Sequence, residues 1–297
     1  MLTHTRAGAS PPSRVVLLGA KGFVPSHLIA HMERLGWPYL ALGSTTLDLT
    51  LPESSGMLAQ LLKPTDTLVF AAALTPEKGH DTATLIRNLR MVENVGAALK
   101  ASPCAHVIYF SSDSVYGWDS PTITEVTPPS PDNLYGIMHL ARELALRECT
   151  GKVGIPLCIL RCCAIYGYGD THNAYGPNRF VRAALALGKI ELFGLGDDTR
   201  DHVYIDDVVR ITALIIESRS SGLLNVSSGQ SVAFAEVASE VTKAIGKPIS
   251  LEFAARSAPA THRSFSYSDT TTAFPGFQSV RIQEGVSRLV RTASAAP

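Results

Sequence analysis

The chain has 297 residues, with 26 Lys plus Arg against 26 Asp plus Glu and 45% hydrophobic residues. That balance belongs to a globular protein and excludes a disordered tail or a basic nucleic-acid coat, so no nucleic-acid partner is expected. No apolar run reaches the ~18 residues of a membrane helix, and the opening stretch MLTHTRAGASPPS lacks the apolar segment of a secretion signal. The expectation is a cytoplasmic protein with no membrane partner and a loosely held N-terminus.

In chain order, residues 14–18 (RVVLL) form a short apolar run ending in Gly19, and Leu28, Ile29, Met32 and Leu35 follow with helical spacing. This predicts strand, glycine turn and helix. Buried-strand runs recur at 39–42, 67–72 (TLVFAA), 106–111 (HVIYFS) and 157–160, with helical stretches at 54–62, 82–100 and 135–149 between them. Such alternation implies parallel strands joined by right-handed helical crossovers. After Arg161 the rhythm loosens: 166–179 (YGYGDTHNAYGPNR) reads as a binding loop. A helix near 180–187, a strand-to-helix unit at 202–216, a helix at 234–245 and an amphipathic stretch at 282–290 complete the chain. The expected class is α/β, a doubly wound parallel sheet with a smaller C-terminal α/β lobe that binds substrate. Residues 1–163 and about 200–218 would form the first unit, and 164–199 with 219–297 the second.

Cys104, Cys149, Cys158, Cys162 and Cys163 show no C-x-x-C spacing and read as buried thiols. His27 and His31 stand at i, i+4 without a third ligand, so no metal site is assigned.

The first chemical motif is the glycine turn. Gly19, Lys21, Gly22, Phe23 and Val24 lie between strand and helix, where glycines let the backbone approach a pyrophosphate and the helix start contributes partial positive charge. A lone G-x-x-G is often only a tight turn, but its place after the first strand favours a Rossmann-like dinucleotide site for NAD or NADP. Pro25 stands where a third glycine is expected and removes one N–H. The second strand ends in Ala41, Leu42, Gly43 and Ser44, with no acid for the adenosine ribose. Lys21 is then either a 2′-phosphate contact, giving a slight lean to NADP, or a solvated loop residue.

The second constellation is Ser111, Ser112, Asp113, Ser114, Val115, Tyr116 and Gly117 after a strand, with Tyr135 and His139 on one face of the next helix. Here the chain resembles the extended short-chain dehydrogenase/reductases, specifically the NAD-dependent epimerase/dehydratase family that modifies nucleotide sugars. Matching positions run through Asp48, Ala71, Ala72, Ala73, Asn88, Arg161, Tyr166, Gly167, the block 194–207 (GLGDDTRDHVYIDD) and Leu224, Asn225 and Val226. The resemblance implies that Tyr135 is the acid/base and that Ser112 hydrogen-bonds the reacting oxygen. It places Ser44, Asp48, Ala71, Ala72, Ala73, Asn88, Ser111, Tyr135 and His139 along the cofactor with the glycine turn. Asp113, Asn173, Asn178, Arg179, Arg200 and Arg263 are the substrate candidates beside Ser112, with Arg200 on the nucleotide diphosphate. Asp269 matches a late acid whose role is structural or functional.

Three departures bear on the reaction. The lysine expected four residues after Tyr135 is His139. A charge ~4 Å away at an effective dielectric of ~20 is worth ~4 kcal/mol, about three pH units on the tyrosine, and a free imidazole is mostly neutral at pH 7 unless a nearby carboxylate keeps it charged. Ala164 stands where an Asn is expected, and Asp113 is followed by Ser114 instead of the Glu of dehydratases. The reading placed first is 4-epimerisation or a related nucleotide-sugar conversion, then NADP-dependent ketoreduction, then a nucleotide-binding protein without catalysis. Apolar stripes at 92–99 and 140–146 suggest either a homodimer, as in the resembling enzymes, or core packing.

Overall fold

The computed structural model describes residues 2–6, 8 and 10–295. The first part of the chain runs β1 (Thr3–His4), β2 (Val15–Leu18), α1 (Phe23–Leu35), β3 (Tyr39–Leu42), α2 (Ser54–Leu61), β4 (Thr67–Phe70), α3 (Thr82–Ala101), β5 (His106–Ser112), α4 (Leu134–Val153) and β6 (Leu157–Cys162). It continues through β7 (Ala164–Tyr166), α5 (Pro177–Leu187), β8 (Lys189–Phe193), β9 (Thr199–Tyr204), α6 (Ile205–Ser218), β10 (Ser220–Val226), β11 (Ser231–Ala233), α7 (Phe234–Ile245), β12 (Ser250–Ala254), α8 (Ser268–Ala273) and α9 (Ile282–Ala295).

A seven-stranded sheet has the order β1-β10-β6-β5-β4-β2-β3, parallel throughout except for β1. Successive side chains of a strand point to opposite faces, and the core divides accordingly. Val15, Leu17, Val69, Ile108 and Leu160 join Leu28 and Met32 of α1 and Ile211 and Ile215 of α6. Val16, Leu18, Leu68, Phe70, Val107, Tyr109 and Ile159 join Leu58, Val95, Leu99 and Leu146 of α2, α3 and α4. Both faces are therefore dry, which is why these strands read as continuous apolar runs. This is a Rossmann-like α/β fold. Because β2 lies between β3 and β4, the β2-to-β3 and β3-to-β4 crossovers run in opposite directions and open a crevice at the carboxyl ends of β2 and β4.

A three-stranded sheet (β11-β9-β7) and the pair β12-β8 lie outside that sheet, with α5, α7 and α9 packed together beside them. Two sequence expectations change. Residues 219–226, assigned to the smaller lobe, largely form β10, which pairs in parallel with β6 from Gly222↔Cys158 to Val226↔Cys162. Its first residues, Ser-Ser-Gly, are small and polar, so the strand carried little apolar signal. The N-terminus, expected to hang loosely, is tied down: β1 pairs antiparallel with β10, Leu2 is buried, and His4 Nδ1 lies 2.7 Å from Ser220 Oγ. Two residues are too short a strand to show a pattern. Among the described residues no helix is long and apolar enough to cross a membrane.

Candidate cofactor crevice and active site

Gly19 adopts φ +100°, and a Cβ there would stand 2.9 Å from both Cα and N of Ala72. Only a glycine lets the β2–α1 turn meet the end of β4 this closely. The Gly19 amide is fixed on the Leu42 carbonyl at 2.8 Å. Gly22 precedes α1 without any side-chain cap, and Pro25 is buried in the first turn. Helix geometry leaves the Phe23 and Val24 amides without intrahelical partners, which suits an anion.

Lys21 is exposed, and its Cγ lies 3.9 Å from the point where a Gly43 side chain would begin, so it runs beside the end of β3. Ser44 is exposed in the turn that Thr46 closes back onto Gly43. Asp48 is turned inward on its own loop: Oδ1 accepts from the amide and hydroxyl of Thr50, which hold its carboxyl below the usual range. Ala71, Ala72 and Ala73 sit half-buried just past β4.

Two expected cofactor contacts have other duties. Asn88 accepts from the Leu74 amide at 2.9 Å and donates to the Leu74 carbonyl at 3.0 Å, so it shapes the backbone after β4. The Ser111 hydroxyl donates to Glu143 Oε1 at 2.6 Å, inside a buried cluster where Glu143 also takes two hydrogen bonds from Arg161. Strand alternation turns Ser111 to the core and leaves Ser112 for the crevice.

The Tyr135 side chain is placed by the start of α4. Asn133 caps the helix, accepting from the Gly136 amide at 3.0 Å. A Cβ on Gly136 would stand 2.1 Å from the Ser114 carbonyl, so the first turn of α4 presses directly onto the short 3₁₀ turn Asp113–Val115 after β5. That contact sets Tyr135 near Ser112, whose hydroxyl itself donates to Ser114 Oγ at 3.1 Å and lies close enough to the phenol to favour its ionised form. Burial, and then the nearby Asp113 charge, push the Tyr135 phenol up to about 12; Arg142 and Ser112 pull it down.

His139 stands edge-on to Tyr135, ring centroids 4.6 Å apart. Its Nδ1 lies 2.7 Å from the Tyr109 hydroxyl, and its Nε2 is buried without a protein partner. Burial, then the Arg142 charge, hold the imidazole well below its ordinary pKa, so it is neutral at pH 7. The carboxylate that would keep it charged is therefore replaced by a cation: Arg142, fully buried, lies one turn further along α4.

On the substrate side, Arg263 and Arg200 both stack on Trp118, with guanidinium carbons 3.9 and 4.8 Å from the ring centroid. Arg263 also bonds Asp113, through its carbonyl at 3.1 Å and Oδ2 at 3.3 Å. Burial raises the Asp113 carboxyl above the usual range despite that partner. The structure thus joins Ser112, Asp113, Arg200 and Arg263. It does not join Asn178, whose amide is consumed by both backbone groups of Gly167, as a turn former. Asn173 and Arg179 line a groove with Arg182, Lys189 and Glu252 that shares no residue with the Ser112–Tyr135 cluster. Asp269 falls in the first turn of α8.

Sequence reasoning missed Tyr109, Trp118, Arg142 and Glu143. For Arg142 a signal existed, since 135, 139 and 142 follow the i, i+4, i+7 face of one helix. Trp118 lies in the irregular stretch before α4, where no period reports direction. All five cysteines are buried and unpaired, and no cluster of three or more metal-ligating side chains exists among the described residues.

These features suit a dinucleotide: a turn that admits no side chain, an uncapped helix start, and one orphaned ring nitrogen beside Tyr135. The chain is 24% identical over 268 residues to an uncharacterized UDP-glucose epimerase, YtcB, of Bacillus subtilis, covering 81% of this chain and 84% of that one. It shares its fold with the Thermus thermophilus UDP-glucose 4-epimerase in complex with NAD, at TM-score 0.83 and 22% identity over 96% of this chain and 100% of that one. The RMD protein of Pseudomonas aeruginosa complexed with NADPH gives TM-score 0.81 and 24% identity over 94% and 98%. The sequence pattern of the NAD dependent epimerase/dehydratase family matches residues 15–227, from β2 through β10, and the chain belongs to that family.

Proposed function

We propose that the protein is an NAD(P)-dependent nucleotide-sugar oxidoreductase of the epimerase type. The observation that carries this reading is the buried Tyr135 phenol near Ser112 at the end of β5, with the unpartnered Nε2 of His139 on the ring edge-on to it. A nicotinamide cofactor, when bound, would supply the hydride-acceptor and hydride-donor chemistry at a sugar carbon. Tyr135 takes the proton of the hydroxyl on that carbon as the carbonyl forms, and gives it back when the carbonyl is reduced from the other face. Ser112 donates to the same oxygen and holds it within reach. His139 is neutral with Nδ1 2.7 Å from the Tyr109 hydroxyl; in the tautomer in which Nδ1 accepts from that hydroxyl, Nε2 carries the proton and serves as a donor to a ribose hydroxyl. Arg200 and Arg263 receive the diphosphate.

Lys21, lying beside Gly43, supports the lean to NADP, and NADP-dependent ketoreduction is the second reading, since it uses the same Ser112 and Tyr135. A dimer through α3 and α4 is supported by the groove lined by Leu89, Val92 and Ala145 and by exposed Ile86 and Leu144; light scattering at micromolar concentration tests it.

The functional test is incubation with UDP-glucose, UDP-glucuronic acid and a dTDP-4-keto sugar, with NAD or NADP, for the wild type and Tyr135→Phe. Conversion without net cofactor consumption, with cofactor retained on gel filtration, supports epimerisation. Stoichiometric consumption of exchangeable cofactor supports the reductase. Conversion that survives Tyr135→Phe, or none at any pH with bound cofactor, overturns the assignment of Tyr135 as acid/base.

A further inference from the structure

Arg142 is an anomaly of charge. Its side chain is fully buried, yet among the described residues it forms no ion pair. The adjacent carboxylate, Glu143, is already spent on Arg161 and Ser111. The guanidinium lies 4.2 Å from the Phe70 ring centroid and 5.2 Å from that of Tyr109, and Nη2 donates to the Ala72 carbonyl at 2.8 Å. Nη1 has only the Met138 sulfur, at 3.7 Å, and Nε has no partner. A buried charge without a counter-ion is costly, and an arginine does not escape the cost by losing its proton. Ala72, which it holds, is the residue against which the Gly19 turn is pressed. The cation therefore lies one carbonyl beneath the cofactor crevice.

We propose that Arg142 is the fixed cation of this active site: a positioning residue whose charge sets the field in which Tyr135 exchanges its proton, the task of the lysine that His139 replaces. The inference rests on the reading of Tyr135 as acid/base. The groups facing this pair are Tyr109 and Ser112 on β5, Asp113 on the 3₁₀ turn, His139 and Glu143 on α4, and Cys162 on β6. Asp113 is the anion that opposes phenolate formation and is itself held by Arg263. His139 and the Cys162 thiol stay neutral near pH 7 because both are buried. Arg142 is then the cation that favours the phenolate.

The test titrates the phenol itself, without substrate. 3,5-Difluorotyrosine is placed at position 135, and its ¹⁹F resonance is followed against pH in four backgrounds: unchanged, Arg142→Met, Arg142→Lys, and His139→Lys with Arg142→Met. Circular dichroism checks the fold. Arg142→Met is expected to raise the midpoint by about one pH unit, a tenfold loss of phenolate at fixed pH. Arg142→Lys should retain most of the effect, and the double variant should restore it from the position one turn earlier. An unchanged midpoint in Arg142→Met overturns the proposal, as does an equal rise in Arg142→Met and Arg142→Lys. If Arg142→Met does not fold, the double variant decides: a midpoint near the unchanged protein supports the proposal, and a raised one overturns it. Sugar conversion that survives Tyr135→Phe would remove the acid/base reading, yet the titration would still report whether Arg142 controls this phenol.

Discussion

Arg263 closes on Asp113 from 150 residues away, with the Trp118 ring against the guanidinium. On the proposed reading, a diphosphate arriving between Arg200 and Arg263 would compete with the Asp113 carboxylate for the Arg263 donors. Arg263→Gln should raise KM for a nucleotide sugar roughly ten- to a hundredfold, the scale of a lost charge-assisted hydrogen bond of about 1.5–3 kcal/mol, with a smaller change in kcat. Steady-state kinetics, or calorimetry with UDP alone, checks this.

Lys21 lies beside Gly43 at the end of β3. If its ammonium meets a 2′-phosphate, Lys21→Ala should weaken NADP binding by up to about tenfold, as a solvent-exposed charge pair of roughly 1 kcal/mol would. NAD binding should not change. Cofactor fluorescence titrations in low and high salt read the difference; equal losses for both cofactors would make Lys21 an ordinary loop residue.

A methyl group on Gly136 would meet the Ser114 carbonyl at 2.1 Å. Backbone cannot rotate out of the way as a side chain can, so Gly136→Ala should cost about 1–3 kcal/mol or more in stability. Because the same contact brings Tyr135 to Ser112, turnover should fall even where the variant remains fully folded. Denaturant unfolding together with activity measured well below the midpoint separates the two effects.

Asp201 presents one oxygen to the Ser228 amide at 2.7 Å, while Oδ2 is buried without a partner. Burial pushes its carboxyl up to about 6. The native state thus keeps a proton that the unfolded chain releases near pH ~4. The associated stabilisation is complete below that value and is lost as pH rises through about 6. Asp201→Asn has no such loss, so it should stabilise the protein by about 1–3 kcal/mol at pH 8 and by nothing near pH 4. Thermal melts at the two pH values provide the check, and an equal effect at both would contradict the linkage.

The parts of the fold legible in the sequence are those with a strong period. Residues of β2, β4, β5 and β6 are apolar on both faces, and Gly19 punctuates them, so the sheet and its crevice follow directly. Ser112, Tyr135 and His139 could be placed because strand and helix periods fix which side chains share a direction. The surroundings were not legible, for a physical reason: each depends on a partner distant in the chain. Asn88 and Asn178 looked like ligand contacts, but backbone groups of Leu74 and Gly167 claim them. Arg263 was one substrate candidate among several, and only the tertiary fold sets it against Asp113 and Trp118. The charge state of His139 turned first on its burial and then on Arg142, whose meaning depends on the rings of Phe70 and Tyr109 and on the Ala72 carbonyl.

Strand β10 returns to the central sheet after the chain has already left it to build β7, β8 and β9. During synthesis, then, the edge of β6 stands open until residue 226 has emerged, and Arg200 and Arg263 meet over Trp118 only once residue 263 is available. A fragment ending at residue 163 would carry the glycine turn and Tyr135 yet expose the unpaired backbone of β6, an invitation to aggregate.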